Sequence, residues 1–89
     1  MSLSATEKSE IIGKYQRAPN DVGSPEVQVA LLTSRINQVM KHFETHPKDR
    51  HSRYGLMKMV HARRGLLKHL RGQNHERYAA LIKSLGLRR

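Results

Sequence analysis

PEVQVALLTSRINQVMKHFET, residues 25–45, is the stretch whose reading decides the fold. Val29, Leu32, Ile36, Val39, Met40 and Phe43 recur at steps of three and four, which is the repeat of one helix face. Ser24-Pro25 supplies an N-cap followed by proline at the first helical position, and Pro47 ends the helix. Beside the apolar stripe runs a polar line, Gln28, Arg35 and His42. Its members are separated by nearly two helical turns, so they project from one side over about 21 Å. An ordinary solvated face would show the same spacing, so the line marks a candidate surface and no more.

Working outward, a second long helix is expected from Asp49 or Arg50 to Arg71, with Leu56, Met59, Val60, Leu66, Leu67 and Leu70 toward the core. Its other faces carry Arg53, Lys58, Arg63, Arg64, Lys68 and Arg71. Gly72-Gln73-Asn74 should break it. A short last helix then buries Tyr78, Leu81, Ile82 and Leu85, with Gly86 as its C-terminal cap. Toward the N-terminus, Asn20-Asp21-Val22-Gly23 reads as a turn and Ser4-Ala5-Thr6-Glu7 as a capping box. The helix started by that box offers only Ile11, Ile12 and Tyr15 for burial, so it should be the most weakly attached element. Nothing alternates like a strand and nothing repeats. The expectation is one all-α domain over residues 1–89, a small bundle with two long central helices.

A chain of 89 residues hides only about 60–65% of its unfolded surface, which leaves little room for a deep catalytic pocket. It has no cysteine, so disulfides and thiolate metal sites are excluded. MSLSATEKSEII lacks the apolar stretch of a signal peptide, and apolar runs such as Val29 to Leu32 are far too short to span a bilayer. A cytoplasmic protein is expected. The net charge of +10 is unevenly spread. Residues 1–30 carry three Lys/Arg against four Asp/Glu, whereas residues 31–89 carry fourteen against three. Such a field attracts polyanions, nucleic acid first.

Two motifs suggest other chemistry and fail. KDRHSRYG (48–55) holds Asp49, His51 and Ser52, the side-chain types of a hydrolytic triad. A triad needs the imidazole between carboxylate and hydroxyl, whereas these three lie in one turn and point in different directions. HFETH (42–46) has its glutamate third where the zinc-protease motif requires it second, and no third or fourth ligand follows His42 and His46. No catalytic residue, metal site or cofactor is expected.

Arginine is the commoner cation from Arg50 onward, and its planar fork suits phosphate. Four aromatic residues are too few for a platform that stacks unpaired bases. Two long helices joined by a proline-containing turn are a poor match to helix-turn-helix geometry. A-form RNA presents a wide, shallow minor groove that short polar groups at a turn can read. Asp49 could accept from the guanine amine exposed there, with His42, His46 and Ser52 beside it. Asp49 could equally cap the second long helix, or do both. The alternatives are a general nucleoid-type DNA-binding module, which charge alone permits, and a membrane-active basic helix protein, which complementary apolar stripes disfavour.

NDVGSPEVQVALLTSRI (20–36), KDRHSRYGLMKMV (48–60), the Arg63-Arg64 pair with Leu66-Leu67, and RYAALIKSLGLRR (77–89) together resemble the bacterial ribosomal protein family numbered fifteen of the small subunit. The likeness spans essentially the whole chain. It implies four helices, three forming an antiparallel bundle and the first packing variably, in a protein that is a monomer when free. It implies binding to the central domain of 16S rRNA at a three-way junction and at a minor-groove site containing a G·U pair. By position, Gly23, Gln28 and Arg35 would serve the junction, and His42, His46, Asp49 and Ser52 the minor groove. Arg53, Arg64, Lys68 and His69 complete the expected RNA-binding set. The resemblance further implies an ordered platform for ribosomal proteins six and eighteen, a bridge to large-subunit rRNA, and repression of its own mRNA as in many members. Three positions depart from the family: Val22 where threonine is common, His69 where tyrosine is usual, and Tyr54 where arginine is frequent. The first two fall on the junction side.

Overall fold

The computed structural model describes residues 3–21 and 23–87; Val22, with its expected effect on the junction contact, and the final Arg88-Arg89 lie outside them. Four helices account for most of the chain: α1 (Ala5–Tyr15), α2 (Pro25–His42), α3 (Arg50–Gln73) and α4 (His75–Leu85). No strand occurs among the described residues. The fold is all-α, as the periodicity requires.

The helix starts follow from local chemistry. Ser4 Oγ accepts the Glu7 amide while Glu7 takes the Ser4 amide, both at 3.1 Å, so the capping box forms in full. Ser24 caps α2 ahead of Pro25, Asp49 caps α3 and Asn74 caps α4. Gly86 ends α4 at φ 69°, a left-handed conformation that costs other residues strain.

α2 and α3 form an antiparallel hairpin, tied by His42 to Asp49 at its closed end and by Arg63 to Thr33 further along. Val29, Leu67, Leu70 and Leu81 make the buried cluster, with Tyr15, Leu66, Tyr78, Ile82, Leu85 and Leu87 packed against it. α1 runs back along α2. Gln38 Nε2 donates to Glu7 at one end, Tyr15 and Glu26 line one cleft at the other, and the Tyr15 hydroxyl meets Ser84 Oγ at 2.8 Å. No residue of α1 is itself fully buried, so this helix holds by its rim.

Four readings from the sequence need correction. α2 ends at His42 rather than near Thr45, and residues 43–45 form a turn that leads into Pro47. α3 does not break at Gly72; it continues through Gln73 because the Asn74 amide reaches the Leu70 carbonyl at 2.8 Å. Met40, assigned to the apolar stripe, is 57% exposed, since the stripe drifts round α2 and buries Val27, Ala30 and Thr33 as well. Leu56, Met59 and Val60 are half-buried, so the true core of α3 lies in its second half.

Candidate nucleic-acid interface

The closed end of the hairpin gathers the polar residues expected to read a minor groove. Asp49 Oδ1 accepts the Ser52 amide at 3.0 Å, and Oδ2 accepts the Ser52 hydroxyl at 2.6 Å and His42 Nε2 at 2.9 Å. These bonds, those from Ser52 first and His42 after, hold the Asp49 carboxyl well below the usual carboxylate range. An ionised carboxylate only accepts, so His42 Nε2 must be the donor, and in the neutral ring Nδ1 keeps a lone pair. His46 stacks on His42 with ring centroids 4.3 Å apart. Thr45 Oγ1 gives its proton to the His42 carbonyl at 3.1 Å, so it accepts from His46 Nδ1 at 2.8 Å. In the neutral ring that makes His46 Nε2 an acceptor.

The network thus does two things. It caps α3, and it fixes the orientation of both imidazoles. Asp49 Oδ2 is saturated, while Oδ1 keeps one lone pair on a side chain 31% exposed. A single incoming N–H donor suits that vacancy. Arg53 flanks the site, donating to the Pro47 carbonyl at 3.0 Å with its guanidinium over the Phe43 ring. Among the described residues no three metal-ligating side chains converge.

The second expected set begins in the loop between α1 and α2. Gln28 Nε2 donates to the Gly23 carbonyl at 2.6 Å, which anchors the loop to the first turn of α2. Asp21 organises the rest, and its role was not read from the sequence. Its carboxylate accepts the amides of Arg17 (3.0 Å), Gly23 (3.2 Å) and Ser24 (2.9 Å), led by Arg17 and Ser24 in depressing its pKa to about 2. The signal was available, because Asp followed at two and three positions by Gly and Ser is an Asx-turn pattern.

Helix geometry sorts the remaining residues by side. Around α2, Thr33 lies about 140–160° from Gln28 and Arg35. α1 meets α2 at Gln38 and α3 meets it at Thr33, so Gln28, Arg35 and His42 occupy the open strip between them. On α3, Arg63 faces Thr33, and His69 turns about 120° one way from it while Arg64 and Arg71 turn about 80–100° the other. His69 therefore shares the side of Gln28 and Arg35. Arg64 and Lys68 do not: they line a groove between α3 and α4 with Arg63, Arg71, Leu67 and Tyr78. The structure brings together His42, His46, Asp49, Ser52 and Arg53, sets Gly23, Gln28, Arg35 and His69 along one side, and divides Arg64 and Lys68 from both.

Arg63 was read as a surface cation. It is half-buried, donates to Thr33 Oγ1 at 3.2 Å, and burial draws its pKa down. About two turns nearer the start of α2, Arg77 grips Glu26 with two bonds of 2.6 Å, joining α4 to α2.

Comparison with known proteins places the chain in one family. A family model described as ribosomal protein S15 matches residues 8–88. The small ribosomal subunit protein uS15 of Acinetobacter baumannii strain AYE is 58% identical over 89 residues, with all of both chains covered. The protein of the same name from Thioalkalivibrio sulfidiphilus is likewise 58% identical over the full length of both chains. That of Bordetella parapertussis is 57% identical with the same coverage.

Proposed function

The chain belongs to the ribosomal protein S15 family, whose members are constituents of the small ribosomal subunit, and from that premise we propose that it binds the central domain of 16S rRNA at two places. His42, His46, Asp49 and Ser52, flanked by Arg53, read a G·U-containing minor groove. Gly23, Gln28, Arg35 and His69 engage a three-way junction. The observation that carries this reading is the Asp49 network. A carboxylate on a strongly basic surface keeps one acceptor position open beside two oriented imidazoles, which suits the one amine donor a minor groove offers. Binding there orders the platform for ribosomal proteins six and eighteen and contributes to a bridge with large-subunit rRNA. Repression of its own mRNA would use the same two surfaces. A role as a general DNA-binding module is the second reading, favoured only by the charge.

The test is competition binding to an rRNA three-way-junction fragment at two salt concentrations. Wild type should prefer it over unrelated duplex by about a thousandfold or more. Asp49→Ala should lose roughly tenfold to a hundredfold of the specific affinity while leaving duplex affinity unchanged. Equal loss on both RNAs would remove the minor-groove role. Equal wild-type affinity for duplex DNA would favour the general module.

A further inference from the structure

The groove between α3 and α4 has no part in the two contacts just proposed. Arg63, Arg64, Lys68 and Arg71 line it, Leu67 and Tyr78 lie at its base, and its volume is about 470 Å³. None of its lining residues is acidic. The Arg71 guanidinium sits over the Tyr78 ring, 5.9 Å from the centroid, so this cation is held in place rather than trailing in solvent. Arg63 is likewise fixed, by Thr33. Two pinned guanidiniums with two freer cations between them make a preorganised polyanion seat.

Its position adds the decisive point. The Arg63–Thr33 bond places the groove on the flank of the α2–α3 hairpin opposite the strip that carries Gln28 and Arg35. Arg53 lies five full turns from Arg71 along α3, in line with Arg64 within about 20°. Met57 and Val60 stand between Arg53 and Arg64 on that line, so the cations of the groove are set apart from Arg53 and the site at the closed end of the hairpin. The molecule measures 39 × 28 × 18 Å, small enough for RNA segments to lie on both flanks at once.

We propose that this groove is a separate RNA-binding surface that seats the phosphate backbone of a second RNA segment, making the protein a spacer clamped between two strands rather than a cap on one. Arginine dominates the seat and all its charge has one sign, as phosphate requires. The scarcity of aromatics argues that phosphates, not bases, are what it holds. The inference rests on the rRNA-binding role above, and its test separates the two.

The chain has no cysteine, so single-cysteine variants carry a short photocrosslinker at one chosen place. Arg35→Cys and Lys68→Cys are each labelled and reconstituted into small subunits with 16S rRNA and the other subunit proteins. Lys68→Cys should yield an RNA adduct that maps to a segment not shared with the Arg35→Cys adduct. Separately, Arg64→Glu combined with Arg71→Glu should lower affinity for intact 16S rRNA about tenfold and flatten its salt dependence by about two counterions. The same variant should bind the isolated junction fragment within about twofold of wild type if phosphates elsewhere supply the loss. The proposal falls if Lys68→Cys gives no RNA adduct, an adduct with a protein, or one in the same segment as Arg35→Cys. It falls equally if the double variant loses no affinity for 16S rRNA, or loses as much on the junction fragment. Failure of wild type to select the junction fragment would instead overturn the function proposed above, and the Arg35→Cys adduct would be missing with it.

Discussion

Asp21 and Asp49 show how much one carboxylate can organise. Each stands just before a helix and gathers several donors, and each titrates below its ordinary range as a result. A depressed pKa stabilises the fold above the unfolded value and is lost as pH falls through the folded one. For Asp21 that window runs from the ordinary 3.8 down to about 2. The thermal midpoint should therefore fall as pH drops below about 4, and Asp21→Asn should flatten that fall. Asn keeps an oxygen for Gly23 and Ser24 but offers no second acceptor to Arg17. Parallel pH profiles for Asp21→Asn and wild type would show that the loop does not depend on the charge. The hydrogen-bonded cluster at 42–52 was legible, because His, Asp and Ser crowd there against a basic background. The Asp21 network was less legible, since its meaning depends on three backbone amides that a sequence does not display.

At the scale of elements, capping residues set the boundaries more sharply than periodicity does. Ser4, Ser24 and Gly86 were readable because each is a strong local preference. Asn74 was not, because Gly72 two residues earlier looked like the stronger stop signal. In the structure Asn74 serves both helices: its amide closes α3 on Leu70, and its side chain accepts the Arg77 amide at 3.1 Å to open α4. Asn74→Ala should cost about 1 kcal/mol, read as a lower denaturation midpoint with unchanged denaturant slope. Asn74→Asp should retain most of that stability; if Ala and wild type unfold together, the shared cap contributes nothing. The drift of the apolar stripe on α2 was also hidden. A helix touched by α1 on one flank and α3 on the other buries more than one face, and a single-stripe reading misplaces residues such as Met40.

For the whole molecule, the fold class followed from length, periodicity and the absence of strand patterns. The division of cations between two flanks did not, because a helix repeat tells how residues share a face but not which neighbour occupies each side. That needed the Arg63–Thr33 contact. Stability should be concentrated where the four helices meet. Leu70, fully buried, should cost about 2–5 kcal/mol when changed to alanine, whereas the exposed Met40 should change stability by less than about 0.5 kcal/mol. Comparable losses in urea denaturation for both would mean that the packed cluster is not the centre of the fold.

The helices pair chiefly with their neighbours in sequence, α1 with α2, α2 with α3, and α3 with α4. Chains whose contacts are this local close short loops and fold within about microseconds to milliseconds, whereas a ribosome adds only about 5–20 residues each second. A nascent copy would thus be native almost as soon as its last helix emerges. Its encounter with RNA then becomes a collision between a finished scaffold and a nucleic acid still finding its shape, and the order of events favours the protein as the template.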